Sequence, residues 1–183
     1  MDSRSRCIKR RELKQRALLV AFILQTCLAA AQNLVTNPGF ETGDTTGWFA
    51  FGTPTISAET SQVHSGTYAA QVSNRTQTFM GIAQSFLGDL QAGQTYDVSA
   101  WVRLVGGGNQ TMQLTVQKTD GGVTSFAAIA SGSVSSSGWT QLSGQYTYNP
   151  SGTVSVLTLY AEMPSNSTNS YYGISAKVLK PDF

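Results

Sequence analysis

Apolar and polar residues alternate with a period of two along most of this chain, and no segment carries the three-to-four spacing of an amphipathic helix. Tyr68, Ala70 and Val72 alternate with Ala69, Gln71 and Ser73. Tyr96, Val98, Ala100, Val102 and Leu104 alternate with Asp97, Ser99, Trp101 and Arg103, and Met112, Leu114 and Val116 with Gln113, Thr115 and Gln117. Each run reads as a strand with one face in a core. Turn-forming clusters separate the runs, among them Gly43-Asp44, Ser65-Gly66, Gly106-Gly107-Gly108, Asp120-Gly121-Gly122, Ser137-Gly138 and Asn149-Pro150. The pattern predicts about nine strands, at 54–59, 67–75, 79–87, 95–104, 111–118, 123–130, 139–147, 154–162 and 171–179. Short strands at near-regular spacing indicate an all-β fold, an antiparallel β-sandwich of jelly-roll type.

The first 31 residues stand apart. A basic run from Arg4 to Arg16 precedes an apolar stretch from Ala17 to Ala30 that ends in small residues, the layout of a secretory signal peptide cut before Gln32. The stretch is shorter than the roughly 20 residues of a spanning helix, so no membrane association is expected after cleavage. Residues 32–183 then form one domain, destined for secretion. Without the leader, five Lys and Arg face eight Asp and Glu, a net charge of −3 in place of the +2 of the whole chain. That balance argues against nucleic acid as a partner. Both cysteines, Cys7 and Cys27, lie in the leader, so the domain needs no disulfide. Sequons at Asn74, Asn109 and Asn166 offer glycosylation sites.

Catalytic chemistry finds little support. His64 is the single histidine and falls in a turn, and no Gly-x-Ser-x-Gly elbow or zinc-ligand spacing is present. Binding chemistry is better represented. Arg75, Gln77 and Phe79 place a cation, an amide and an aromatic face in one short segment, and Tyr160 and Glu162 share the open face of a strand. Planar hydrogen-bonding groups beside an aromatic ring suit a sugar, whose hydroxyls take the hydrogen bonds and whose C–H faces take the ring. Trp48 and Trp139 follow glycines and read as core plugs, whereas Trp101 lies off the core face.

An ordered series of motifs carries a family resemblance: Asn37-Pro38-Gly39-Phe40-Glu41, Gly47-Trp48, His64-Ser65-Gly66-Thr67-Tyr68, Arg75 with Phe79 and Gly81, Gly93 through Arg103, Gly138-Trp139 and Tyr160-x-Glu162. With these the chain resembles carbohydrate-binding module family 22, xylan-binding modules joined to family 10 xylanases. The resemblance implies a galactose-binding-like β-sandwich with a non-catalytic cleft for a β-linked xylose or glucose chain, xylan or β-glucan, bound by Arg75, Gln77, Phe79, Phe126, Tyr160 and Glu162 in a monomer. Phe79 stands where such modules have Trp, Phe126 where they have Tyr, and Phe51 near an Arg position. No cofactor is required. The resemblance also implies a structural calcium at Glu41, although Lys177 and the lack of aspartates in the last strand argue against the ion. Two alternatives stay open: the front end of a longer xylanase, and a cell-wall or matrix module with a degenerate sugar site.

Overall fold

The computed structural model describes residues 32–165 and 167–180. The expected signal peptide and the Asn166 sequon lie outside the described residues. Ten strands are present among those described: β1 (Phe49–Phe51), β2 (Thr55–Glu59), β3 (Ala69–Ser73), β4 (Gly81–Ser85), β5 (Thr95–Leu104), β6 (Gln110–Asp120), β7 (Val123–Val134), β8 (Thr140–Thr147), β9 (Val154–Glu162) and β10 (Tyr171–Leu179). The count exceeds the expected nine by β1, whose three residues are too short to show a period. β7 runs on to Val134, past the expected end at 130, through small residues that carry no apolar alternation but still pair with β6.

The strands form two five-stranded sheets, in the orders β1-β4-β9-β6-β7 and β2-β3-β10-β5-β8, and every pairing is antiparallel. The alternation is realised as expected. Leu114, Val116, Leu157, Leu159 and Ala161 from the first sheet meet Val72, Val98, Val102, Leu104 and Leu142 from the second in one buried core. Phe40 and Trp48 close one part of it, their ring centroids 5.3 Å apart, and the Trp48 indole N–H donates to the Asn37 carbonyl at 3.0 Å. Trp48 is thus the core plug anticipated for a tryptophan after Gly47.

One side chain ties the two sheets together by hydrogen bonds. Tyr171 starts β10 in the second sheet and is fully buried, and its hydroxyl reaches the first sheet. There it accepts from the Ile82 N–H at 3.1 Å and donates to the Ala161 carbonyl at 2.9 Å, bridging β4 and β9. Gly81 makes room for this, since a Cβ there would fall 2.8 Å from the Tyr171 hydroxyl and 1.8 Å from the Ala161 carbonyl oxygen. Burial pushes the Tyr171 phenol up to about 12, which keeps the proton the bridge needs. At the far end of β6, Asp120 accepts from the backbone N–H groups of Ser151 and Gly152, both at 2.7 Å, and pairs with Lys118 at 3.0 Å.

Two outcomes follow from these anchors. Tyr171→Phe leaves two buried backbone groups without partners and is expected to lower the unfolding free energy by about 1–3 kcal/mol, read from urea curves; an unchanged midpoint would contradict the bridge. The hydrogen bonds from the Ser151 backbone and Lys118 hold Asp120 down at about 2, below its ordinary 3.8. A depressed carboxylate stabilises the fold above the unfolded value and loses that contribution as pH falls through the folded one. The difference in melting temperature between the wild type and Asp120→Asn should therefore be constant above about pH 5 and close between about pH 4 and 2.

Candidate functional site

The outer face of the β1-β4-β9-β6-β7 sheet collects its side chains into rows that the strand register defines. One row runs Phe49, Ala83, Tyr160, Thr115, Ala128 across all five strands. A second runs Ser85, Thr158, Gln117, Phe126, and a third Glu162, Gln113, Ser131. Five strands at a spacing of about 4.8 Å span about 19 Å, wide enough to lie under more than one sugar ring.

The middle of this face is a floor rather than a flat surface, because Thr115, Tyr160, Thr158 and Glu162 are only 2–7% exposed although they point away from the core. Aromatic side chains overhang them. Phe51 lies flat on Tyr160, with ring centroids 3.9 Å apart and planes 9° apart. It reaches Tyr160 across β4, which carries only Gly81 and Ala83 in between. Phe79 meets Phe51 edge-on at 6.4 Å and 89°. Phe49 and Phe79 are exposed on this side, and Phe126, 59% exposed, stands on the edge strand β7 opposite.

Under the aromatic walls the floor is polar. Glu162 accepts from the Thr115 hydroxyl at 2.6 Å and from the Gln113 amide at 2.9 Å, and the same amide contacts Thr115 at 3.0 Å. Burial, then the nearby Glu162 carboxylate, pushes the Tyr160 phenol upward, so the hydroxyl stays protonated. The arrangement offers a fixed carboxylate, amides and hydroxyls between hydrocarbon faces. It can bind a neutral, hydroxyl-rich ligand without transferring a proton.

The expected site residues divide into two groups. Phe79, Phe126, Tyr160 and Glu162 come together on this face, and Gln77 is exposed in the turn before Phe79. Arg75 does not join them. It is buried, and its guanidinium donates to the carbonyls of Thr78 at 2.6 Å, Met80 at 2.7 Å and Asn169 at 2.8 Å, contacts the Ser167 carbonyl and Met163 sulfur, and lies 5.5 Å from the Tyr171 ring centre. Burial lowers its pKa, opposed by Tyr171 and Glu162. All three guanidinium nitrogens are committed to the protein, so the expectation of a sugar contact is corrected to a structural role that holds the segment bearing Phe79. Phe49, Gln113, Thr115, Gln117 and Thr158 share this face and were not anticipated. Gln113, Thr115 and Gln117 were legible as the off-core half of β6, but only the register shows what they adjoin.

The residues around Glu41 do not fit a calcium ion. Its carboxylate accepts the Thr67 N–H on both oxygens, at 3.0 and 3.1 Å, and the Tyr68 N–H at 3.2 Å. The nearby Pro38 carbonyl accepts the Ala176 N–H at 3.2 Å, Lys177 is exposed in β10, and no group of three or more His, Cys, Asp or Glu is found among the described residues. Backbone donors do here what a cation would do elsewhere.

A two-sheet sandwich with an aromatic-walled, polar-floored cleft on one face is a ligand-binding domain. Residues 32–168 match the family model described as a carbohydrate binding domain. The chain belongs to that family, and the resemblance to family 22 modules holds. It is 40% identical over 144 residues to the exoglucanase XynX of Acetivibrio thermocellus, and equally so to an endo-1,4-beta-xylanase A of Thermoanaerobacterium saccharolyticum. These matches cover 76% of this chain but only 13% and 12% of the two enzymes, so the chain spans about an eighth of their length. Among solved structures, the CBM22-1 xylan-binding domain of Paenibacillus barcinonensis Xyn10C superposes with a TM-score of 0.75 at 27% identity, over 84% of this chain and 97% of that one. The shared stretch is a carbohydrate-binding module, a non-catalytic domain.

Because the Glu41 region is closed by backbone donors, EDTA treatment followed by dialysis should leave the melting temperature within about 1 °C of a calcium-saturated sample. A shift of several degrees would show that the ion stabilises the fold after all.

Proposed function

We propose that the cleft binds a neutral β-1,4-linked polysaccharide, xylan or a mixed-linkage β-glucan, along its chain. The observation that carries this reading is the Phe51–Tyr160 stack beside the Glu162–Thr115–Gln113 network, which sets an aromatic wall against a polar floor at the centre of the sheet. The likeness to the Paenibacillus xylan-binding domain supports the choice of polymer. A site of a few hydrogen bonds and one or two stacked rings reaches micromolar to millimolar affinity, about −4 to −8 kcal/mol. The module acts by position, since tethering to the polymer raises the local concentration of whatever it is joined to. It works as a monomer, secreted after loss of residues 1–31. Asn74 and Asn109 are exposed, and as glycan acceptors they lie outside the cleft floor.

Affinity gel electrophoresis tests the reading. The wild type should be retarded by xylan or barley β-glucan and not by hydroxyethyl-cellulose. Glu162→Ala and Phe126→Ala should each weaken retardation about tenfold, with circular dichroism unchanged. Equal mobility of the wild type and both variants in every gel would sink the proposal.

A further inference from the structure

A second group of aromatic side chains gathers on the opposite face of the sandwich. On the outer side of the β2-β3-β10-β5-β8 sheet the His64 ring lies on Trp101, with centroids 4.1 Å apart and planes 23° apart. Trp139 meets His64 at 5.7 Å and Tyr172 at 6.5 Å. His64 stays exposed in its turn while lying on Trp101, and Trp139 packs against the core, as anticipated for a tryptophan after Gly138, with its ring also reaching this cluster. The segment that carries His64 is pinned at several points. Arg103 donates to Gln62 at 2.6 Å and to the Ser136 carbonyl at 2.8 Å, Glu59 accepts the N–H groups of Ser61 and Gln62, and Glu41 accepts those of Thr67 and Tyr68. The cluster is therefore pre-organised, and a ligand would spend little of its binding energy on ordering it.

An open depression of about 420 Å³ adjoins the cluster, lined by Asp97, Ser99, Gln141, Ser143, Gln145 and Leu179. The β5–β8 register explains it. Trp101 faces Gln141, Ser99 faces Ser143, and Asp97 faces Gln145 on the same side, three rungs that run about 14 Å from the aromatic end. Gln145 donates to Asp97 at 2.9 Å, while the side chains of Ser99, Gln141 and Ser143 have no hydrogen-bond partner among the described residues. Gln141, Ser143 and Gln145 are exposed.

We propose that this groove is a second binding surface for a neutral glycan chain, with the exposed His64 ring and the edge of Trp139 at its end as an aromatic platform and Gln141, Ser143 and Gln145 as its hydrogen-bonding edge. The ligand class follows from what the groove holds. Asp97 and Lys177, which faces Ser99 across β10, leave it balanced in charge, so a polyanion gains nothing there. None of the exposed large apolar residues among those described, Phe49, Phe79, Leu87, Val105, Val123 and Phe126, belongs to this groove, so it lacks the hydrophobic centre of a protein interface. Amides and hydroxyls beside aromatic rings remain, a match for sugar hydroxyls and C–H faces. The ligand class is shared with the proposed function; the site is independent of it. Two surfaces on opposite faces let one molecule engage two chains, or two stretches of one, with a gain in avidity.

Titration of the ¹⁵N-labelled full chain with xylohexaose, and separately with a mixed-linkage glucan hexasaccharide, decides the matter. The Trp101 and Trp139 indole N–H signals and the Gln141 and Gln145 amides should shift with a midpoint of their own, distinct from that of Gln113 and Gln117 in the cleft. In Gln141→Ala/Gln145→Ala, which removes only exposed groups, the groove midpoint should rise fivefold or more while the cleft signals keep theirs. Shifts confined to the cleft overturn the second surface and leave the proposed function standing. Shifts confined to the groove uphold the second surface and remove the cleft. Groove shifts that persist unchanged in the double variant are relayed from elsewhere and overturn it, and silence from both faces with both sugars overturns both.

Discussion

The guanidinium of Arg75 sits where the chain enters β4, beneath the turn that presents Phe79 and beside the segment that leads into β10. None of its hydrogen bonds goes to a carboxylate. Carbonyl oxygens and a methionine sulfur solvate it instead, drawn from Thr78, Met80, Met163, Ser167 and Asn169. A buried cation without such acceptors would cost several kcal/mol, so the acceptors are held in place as firmly as they hold the cation. Two stretches of chain distant from each other in sequence, 78–80 and 163–169, are thereby gathered around one charge. The Tyr171 ring, 5.5 Å from that charge, carries the constraint into the space between the sheets, where its hydroxyl joins β4 to β9. β4 and β9 are the strands under the cleft.

That scaffold explains how a cleft of small and aromatic residues keeps its shape. Phe51 has to cross β4 to reach Tyr160, and it can do so because β4 offers Gly81 and Ala83 there. Gly81 is in turn the residue that admits the Tyr171 hydroxyl. The same position thus serves the bridge between the sheets and the passage of the aromatic wall. Stacking of Phe51 leaves Tyr160 only 4% exposed, so in this chain the hydrocarbon face turned toward a ligand is that of Phe51 and Phe79.

The fold was legible because each sheet has one face in the core, and a period of two survives any uncertainty about where strands begin. β1 escaped because three residues cannot display a period, and the extension of β7 escaped because Ser131, Gly132 and Ser133 are nearly silent in hydrophobicity. The site was legible only in part. Tyr160 and Glu162 were identifiable from their place on the open side of β9, but Gln113 and Thr115 join them through the pairing of β6 with β9, which strand patterns do not encode. Arg75 was read as a sugar contact because it stands with an amide and an aromatic ring in one short segment; the acceptors that allow its burial lie as far as 94 positions away in the chain.

The three departures from the family pattern now have a common physical meaning. If the cleft binds sugar as proposed, Phe at positions 51, 79 and 126 gives walls without a hydrogen-bond donor, so discrimination between hydroxyl patterns falls on the floor. There the recognition groups are few and already bonded to one another: Glu162 accepts from Thr115 and Gln113 before any ligand arrives. A sugar hydroxyl must share or exchange those bonds, which reduces the net gain of each to about 1 kcal/mol or less. Under the proposed function, affinity then rests mostly on contact with aromatic faces, which distinguish poorly between neighbouring sugars of similar shape. A cleft built this way favours tolerance of the polymer's local chemistry over selection of a single repeat, which suits a module whose effect is to hold a position on a heterogeneous surface.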